Sequence, residues 1–256
     1  MRSRLDPAAI GGVMYRDLVI FVRYWKSRTF SSVVEPTIYL LAFGFGFGAL
    51  VAKVDGIDYV EFVGTGVVAT AVLFSSAFSG MFDTFIKRKY QRTYDALLAA
   101  PVDPGDVVTG EVTSIALKGA VYCMAPLLVA IVFGLDPSPW IVVVPLIGFV
   151  TGFGWASFGV TAAAIVPSID TFNYIISAVI TPLFLVAGTF FPIDTLPGWA
   201  QGLAQINPLY HTVQLVRAAV FDQWVPADLW HAAALLVFAV ALWRIAIWRL
   251  GRRLID

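Results

Sequence analysis

Six apolar stretches dominate the chain, and each is long enough to cross a lipid bilayer as a helix. A transmembrane helix needs about 20 predominantly apolar residues, and it satisfies its own backbone hydrogen bonds in a medium without water. The chain is 59% hydrophobic and 13% charged, and that charged fraction is about half the average of soluble domains. The sequence therefore predicts an all-α membrane protein with six transmembrane helices. Their approximate ranges are residues 31–51, 60–82, 107–133, 140–166, 172–191 and 229–248.

The basic residues gather on one side of these spans. Lysine and arginine accumulate in cytoplasmic loops, so we expect both termini in the cytoplasm and a multi-pass protein of the bacterial cytoplasmic (inner) membrane. The opposite loops contribute only Lys53 and Arg217. The residues on the crowded side are Arg2, Arg4, Arg16, Arg23, Lys26 and Arg28 before the first span, Lys87, Arg88, Lys89 and Arg92 between the second and third, and Arg244, Arg249, Arg252 and Arg253 at the end.

The residues before the first span show helical periodicity. We expect residues 1–30 to form a cytoplasmic amphipathic helix along the inner membrane surface, ahead of a transmembrane domain at residues 31–256. The alternative is a charged cytoplasmic tail. Because the segment lacks a short apolar core and a small-residue cleavage site, no cleavable signal peptide is expected. The apolar positions at helical spacing are Ile10, Met14, Leu18, Phe21 and Trp25.

Enzymatic motifs are absent from the sequence. It contains no HExxH, CxxC or GxSxG, and without GxxxxGK[ST] it has no nucleotide site of its own. Cys123 is the single cysteine, and we expect it to be a small side chain in the core. The two histidines, His211 and His231, do not make an acid/base or metal cluster. We therefore expect a chain that is not an enzyme and holds no cofactor or metal, and nothing indicates a nucleic-acid partner.

The loop between the second and third spans predicts a compact docking element. Residues 90–98 can form a short helix that Pro101 ends, because proline disfavours helix at the residue before it. Residues 103–105 (Asp-Pro-Gly) form a turn, and Asp106 can cap the third span. A short helix held between two spans suits contact with a cytoplasmic partner. The alternative is a basic loop that only fixes topology.

Three stretches together resemble the ABC-2 class of exporter permeases, which includes nodulation-factor, antibiotic and cell-surface-glycan exporters. They are "FGFGFGALVAKVDGIDYVEFVGTGVVAT", "RTYDALLAAPVDPGDVVTGE" and "FPIDTLPGWAQ…NPLYHTVQLVR". The resemblance runs from about Arg16 to Arg253 with the segments in matching order. Any one motif alone is weak, but the combination is specific.

The resemblance implies a dimer of six-span permeases, expected to be two identical chains, with two separate ATP-binding subunits. ATP and magnesium would be bound by those subunits, which fits the missing nucleotide motif. The resemblance also implies that the loop after the second span is a coupling helix in a groove of the ATPase. Many relatives carry glutamate at the position of Asp95. The aspartate keeps the negative charge, but its side chain is shorter. The matching positions are Arg92, Thr93, Tyr94, Asp95, Leu97 and Leu98.

The third span carries polar residues on one helical face: Glu111, Ser114, Lys118 and Tyr122. A lysine deep in a membrane costs about 2.5–3.5 kcal/mol on insertion scales, so Lys118 should face protein or a wet cavity. Glu111 is two turns away, so we expect no direct pair between them. The face either lines a substrate path or bonds to a neighbouring helix.

Residues 191–228 are too long for a tight turn and too apolar for an exposed loop. Thr195 can cap a helix over residues 197–206, Asn207 and Pro208 then break it, and a second helix follows over 210–221. We expect two half-inserted helices packed on the fifth span, and the resemblance implies a re-entrant hairpin that narrows the outer exit. For His211 the alternatives are an anchoring hydrogen bond or a role in substrate contact or gating. The hairpin residues of interest are Pro192, Pro197, Trp199, Asn207, Pro208, His211 and Arg217.

Together these features predict the transmembrane subunit of an ATP-driven exporter. The expected cargo is amphipathic: a lipid-linked oligosaccharide, a lipo-oligosaccharide or a hydrophobic drug. Two other classes are the alternatives. An ion-coupled secondary transporter would show paired intramembrane charges and inverted repeats. A membrane-embedded lipid-processing enzyme would show an acid/base or metal cluster at the membrane surface.

Overall fold

The computed structural model describes residues 5–48, 50–51, 53–54 and 56–255, which are mainly helical. Arg2 and Arg4 of the predicted basic group lie outside these residues, as does the side chain of Arg28. The α-helices are α1 (Pro7–Gly48), α2 (Tyr59–Phe78), α3 (Thr84–Lys89), α4 (Thr93–Leu98), α5 (Pro104–Tyr122), α6 (Met124–Val132), α7 (Val144–Ile165), α8 (Phe172–Ile175), α9 (Thr181–Leu185), α10 (Gly198–Gln205), α11 (Pro208–Phe221) and α12 (Asp228–Ile255).

Short elements connect these helices. Strands β1 (Lys53–Val54) and β2 (Ile57–Asp58) pair antiparallel between α1 and α2. Two π-helical turns join α2 to α3 and α8 to α9, so each pair continues as one helical run. The π-helical turns are Ser79–Asp83 and Ile176–Ile180, and the 3₁₀ turns are Pro139–Val143, Ile169–Thr171 and Ile193–Thr195.

Among the described residues, four helical runs are long and apolar enough to cross a membrane. They are Tyr59–Lys89, Pro104–Val132, Pro139–Ile165 and Asp228–Arg253, and they confirm the second, third, fourth and sixth predicted spans by length and composition. The first and fifth predicted spans match shorter apolar helices, Thr37–Gly48 and Ile169–Leu185. Their crossing of the membrane, and so the count of six, stays a prediction.

Helix α1 joins the predicted surface helix and the first predicted span, with a kink at Tyr24 (φ −116°, ψ 16°). Val13 packs against Gly110 of α5 and Asp17 is buried, whereas Leu18 and Trp25, on the predicted apolar face, are exposed. Apolar side chains are stable against lipid, so the face turned toward protein is set by the polar residue that needs partners. The position of this segment at the membrane surface stays a prediction.

Helix α7 lies at the centre of the bundle and packs on α2, α5 and α12. The spacing of Gly148 and Gly152 predicts a packing face, which the structure confirms. A Cβ at Gly148 would lie 2.8 Å from Cys123 Sγ, and one at Gly152 would lie 3.0 Å from Ser76 Oγ. Small residues allow helix backbones to approach closely in membrane proteins, so this face sets the spacing of the bundle.

The bundle has two distinct ends. Asp106 Oδ1 accepts a hydrogen bond from Asp6 N at 2.9 Å, and Gly251 lies against Pro104, so both described termini lie beside α4. We call this the α4 end. The strand pair, α10 and α11 lie at the opposite end, which we call the hairpin end. This grouping agrees with the predicted arrangement of the loops.

Candidate functional site

Five polar side chains from four helices meet near the α4 end: Asp17 on α1, Thr84 and Lys87 on α3, Tyr94 on α4 and Glu111 on α5. We call them the polar cluster. Glu111 is only 1% exposed and Asp17 7%. A buried carboxylate is stable only when it is paired and hydrogen-bonded, so the cluster members depend on each other.

Lys87 and Glu111 form the centre of the polar cluster. Lys87 Nζ donates to Glu111 Oε1 at 2.8 Å and lies 3.3 Å from Asp17 Oδ1. Thr84 Oγ1 donates to the same Glu111 oxygen at 3.2 Å, and the Tyr94 hydroxyl donates to Glu111 Oε2. Both carboxylate oxygens are therefore used, and charge-assisted bonds of this kind are about twice as strong as neutral ones.

Tyr94 connects helix α4 to this centre. Its ring is 1% exposed, and burial, followed by the nearby Glu111 carboxylate, raises the pKa of the Tyr94 hydroxyl well above its usual range. The hydroxyl therefore stays protonated and remains a donor. Helix α4 is thus attached to α5 through a buried bond, not only through the chain.

The structure corrects two expectations about α4. The helix begins at Thr93, not near Tyr90, because Arg92 adopts a left-handed conformation (φ 49°, ψ 34°) that ends the preceding turn. Tyr94, expected at the ATPase contact, is turned into the protein. Arg92 and Asp95 are exposed, while Thr93, Leu97 and Leu98 are half-buried.

The basic run after α2 also holds the end of α7. Arg88 donates to the Ala164 carbonyl at 3.0 Å, and Lys89 Nζ lies 3.4 Å from the Pro167 carbonyl. Carbonyls at a helix C-terminus lack helical partners and favour cations. Residues that we expected only to set topology therefore fix α3 against α7.

The other residues of the predicted polar face, Ser114, Lys118 and Tyr122, line a groove of about 440 Å³ between α1 and α5, and Asp17 of the polar cluster borders the same groove. Lys118 Nζ lies 6.0 Å from the centre of the Phe21 ring, and the Tyr122 hydroxyl lies 3.3 Å from Thr29 Oγ1. Ser114 Oγ is buried without a hydrogen bond to any described residue. The structure thus separates Glu111 from the face on which sequence spacing grouped it.

The outer hairpin contains the two predicted helices, as α10 and α11. Asn207 is fully buried at the break between them: Oδ1 accepts from Leu209 N at 3.0 Å, and Nδ2 donates to the Leu183 carbonyl at 2.6 Å. Thr195 does not cap α10, because its hydroxyl donates to the Pro192 carbonyl at 2.7 Å. Instead Pro197 occupies the N-cap position.

Other predicted hairpin residues have distinct surroundings. Pro208 is the first residue of α11, and Trp199 is 71% exposed. An exposed tryptophan suits an interfacial anchor. Insertion of the hairpin into a membrane stays a prediction.

Arg217 ties α11 to two other parts of the chain. Its NH2 group donates to the Gly188 carbonyl at 2.8 Å and to the Phe62 carbonyl at 3.3 Å, and the guanidinium lies 3.7 Å from the centre of the Phe62 ring. Gly188 has φ +75°, a conformation that favours glycine. Arg217 therefore holds the hairpin to α2 and to the turn after α9.

The two histidines of the chain contact each other, which sequence spacing did not predict. His211 Nε2 lies 3.0 Å from the Gln205 carbonyl, and His211 Nδ1 lies 2.7 Å from His231 Nδ1. Because a carbonyl only accepts, Nε2 carries the proton of His211. Its Nδ1 must then accept from His231 Nδ1–H, a tautomer pair assigned from the network. His211 thus anchors the hairpin to α12.

We expect acid to weaken this histidine bond. Burial, then the neighbouring His231, lowers the pKa of His211; Asp228 and Tyr210 are the adjacent titratable groups. His211 binds a proton more tightly when the contact is broken, because its pKa is then no longer lowered. The contact is therefore stable above the ordinary histidine pKa of ~6.5 and weakens as the pH falls below it. Hydrogen exchange of α10 and α11, corrected for intrinsic rates, should speed up on acidification through that value. A His211→Phe variant should show a smaller pH dependence, because only His231 then titrates there, and Tyr210→Phe should keep the full effect; equal behaviour of the two would contradict the assignment.

Sequence reasoning did not predict the contacts of four residues of this site: Asp17, Thr84, Lys87 and His231. One signal could have found Lys87. A glutamate inside a membrane span must have a partner, and Lys87 is one of the basic residues between the second span and the third span, which holds Glu111. Among the residues that the structure describes, no three His, Cys, Asp or Glu side chains form a metal-binding group.

Four helical runs long and apolar enough to cross a membrane, joined to α4 by a buried polar cluster, are typical of an integral membrane protein, and the comparison with known families identifies its class. The family model for the ABC-2 type transporter matches residues 9–221. The chain therefore belongs to the ABC-2 type transporter family.

Individual relatives cover nearly the whole chain. Nodulation protein J of Sinorhizobium fredii is 33% identical over 236 residues, which is 91% of this chain and 90% of that protein. Nodulation protein J of Rhizobium leguminosarum bv. viciae is 31% identical over 237 residues, again 90% of each. The inner membrane transport permease YadH of Escherichia coli is 24% identical over 246 residues, 96% of this chain and 95% of YadH.

Proposed function

We propose that this chain is the permease subunit of an ATP-driven exporter in the bacterial inner membrane, with both termini in the cytoplasm. The main support for this proposal is the way in which α4 is attached. This exposed helix lies at the same end as both described termini, and Tyr94 bonds it to the buried Glu111. Such a helix can receive force from a partner and pass it directly into the bundle. Family membership supports the transport role.

The partner would be an ATP-binding subunit, present in two copies, that binds ATP and magnesium. It would contact Arg92 and Asp95 on the exposed side of α4, next to the half-buried Thr93, Leu97 and Leu98. Movement of α4 would reach α5 through Tyr94 and Glu111, and α1 and α3 through Lys87 and Asp17. Tyr94 acts here as a positioning residue, not as a docking contact.

The permease would work as a dimer of two six-span chains, with cargo passing along their interface and α10–α11 narrowing the outer exit as a re-entrant hairpin. The cargo class that we propose is amphipathic: a lipid-linked or lipo-oligosaccharide, or a hydrophobic drug. The residues along α5 that could touch it are those of the α1–α5 groove: Ser114, Lys118 and Tyr122.

Purification of the tagged chain from native membranes tests this proposal. We expect an ATP-binding subunit to co-purify in equal amount and to hydrolyse ATP. Asp95→Lys should reduce the co-purified subunit about tenfold, since a reversed charge at an interface opposes association. Asp170→Lys is the matched control, because Asp170 is also exposed at the α4 end.

Three outcomes would count against the proposal. A chain that purifies without an ATP-binding subunit contradicts it directly. Transport by the isolated chain driven only by an ion gradient would favour a secondary transporter, with Lys87 between two carboxylates as its ion site. Turnover of a lipid by the isolated chain would favour a membrane enzyme.

A further inference from the structure

A second cavity, of about 350 Å³, opens at the hairpin end. Its walls come from β2, α2, the segment before α10, helix α11 and the start of α12. Ligand-binding pockets in proteins usually measure about 300–1,000 Å³, so the cavity can hold a small molecule or one unit of a larger one. The polar residues that line it are Asp194, Tyr210, Gln214, Arg217, Gln223 and Asp228.

Several of these polar groups are available to a ligand. The side chains of Gln214 and Gln223 and the hydroxyl of Tyr210 form no hydrogen bond with any other described residue. Gln214 and Tyr210 are half-buried in the wall. Asp228 is 7% exposed and uses Oδ2 to accept from Val225 N at 2.7 Å, which fixes its carboxylate in the wall. The Arg217–Phe62 stack lies beside them.

The mixture of groups restricts the ligand. An anion would meet Asp194 and Asp228, and a cation would meet the Arg217 guanidinium. An apolar group would remove water from amides and carboxylates without replacing their hydrogen bonds, which is unfavourable. A neutral molecule with many hydroxyls avoids all three penalties, because each hydroxyl both donates and accepts.

We propose that this pocket binds one neutral sugar unit, the polar head of an amphipathic cargo. The amides of Gln214 and Gln223 hydrogen-bond its hydroxyls, and the carboxylate of Asp228 accepts from them in the wall. The pocket lies beside the hairpin, at the end where the proposed function places release. The assignment of the sugar to cargo rests on that function, whereas the binding itself does not.

Binding is tested on the full-length chain purified without an ATPase, in a detergent whose headgroup is not a sugar. Saturation-transfer NMR is recorded with neutral disaccharides such as maltose and lactose, and with glycerophosphocholine and inorganic phosphate for comparison. We expect saturable binding of at least one disaccharide with a dissociation constant of about 1–10 mM. Gln214→Leu should weaken it about tenfold, the effect of losing one hydrogen-bonding group in a buried wall.

Gln205→Leu is the matched control, because it makes the same change on the same hairpin outside the pocket. Gln223→Leu provides a second variant if Gln214→Leu does not fold. Absence of binding by every disaccharide, equal binding by both Gln214→Leu and Gln205→Leu, or preferred binding of phosphate or glycerophosphocholine would each overturn the proposal. A chain that binds sugar but recruits no ATP-binding subunit would leave this pocket standing and contradict the proposed function alone.

Discussion

Replacing Lys87 by methionine is expected to destabilise the protein by about 3–5 kcal/mol, the usual effect of removing one partner from a buried ion pair. Methionine keeps the volume of the side chain but leaves Glu111, 1% exposed, without its countercharge. Asp17 keeps a hydrogen bond from Arg16 at 2.9 Å, so the main loss falls on Glu111. Unfolding in mixed detergent micelles, followed by tryptophan fluorescence, measures the change.

Two further variants separate charge from packing. Lys89→Met is the matched control: it makes the same change two residues away at an exposed side chain, and it should cost less than ~1 kcal/mol. In the double variant Lys87→Met/Glu111→Gln the buried charge is gone, while the amide oxygen introduced on α5 still accepts from Tyr94, so most of the stability should return. If Lys87→Met proved no worse than Lys89→Met, the polar cluster would not stabilise the bundle.

Gly159→Ala is expected to disrupt folding at the crossing of α2 and α7. A Cβ at Gly159 would lie 2.5 Å from the Ala77 carbonyl oxygen and 2.7 Å from Met81 N. Both are backbone atoms, so no side-chain rotation relieves the contact, and the helices must move apart. Overpacking of this kind costs about 1–3 kcal/mol and sometimes more. The yield of folded, monodisperse protein and its thermal unfolding temperature measure the effect.

Gly12→Ala is the same substitution at an open site, where no loss of stability is expected. A Cβ at Gly12 meets nothing within 4 Å, so alanine should be neutral or should stabilise α1 by up to about 1 kcal/mol through its higher helix propensity. A Gly159→Ala protein as stable as Gly12→Ala would show that the crossing tolerates a side chain.

Local chemistry explains which parts of the fold could be predicted. The four long spans follow from apolar length alone, and the break between α10 and α11 follows from Asn207 and Pro208, whose effects act within a few residues. The fifth span was harder to predict, because its helical run contains a π-helical turn and Pro182, and the regular helix already ends at Leu185. The apolar character of this span is evident in the sequence, but the π-helical turn and the early end of the helix are not.

The polar cluster could not be predicted because it depends on the register between helices. Asp17 lies 70 residues from Lys87, and Lys87 lies 24 from Glu111. Sequence spacing groups residues on one helix, so it joined Glu111 to Lys118, whereas the fold turns Glu111 toward α3. Likewise a six-residue helix such as α4 has too little periodicity to show that Tyr94 faces inward. The contact between His211 and His231 has the same origin, since α11 and α12 meet only in the folded chain.

The kinked helix α1 connects the two ends of the bundle. Asp17, in the polar cluster, and Gly48, packed near Val60 at the hairpin end, belong to the same helix. At 1.5 Å per residue, the arms on either side of Tyr24 are about 25 Å and about 36 Å long. One helical segment therefore joins the two ends of the bundle, and the non-helical backbone at Tyr24 is the point at which the angle between its arms is set.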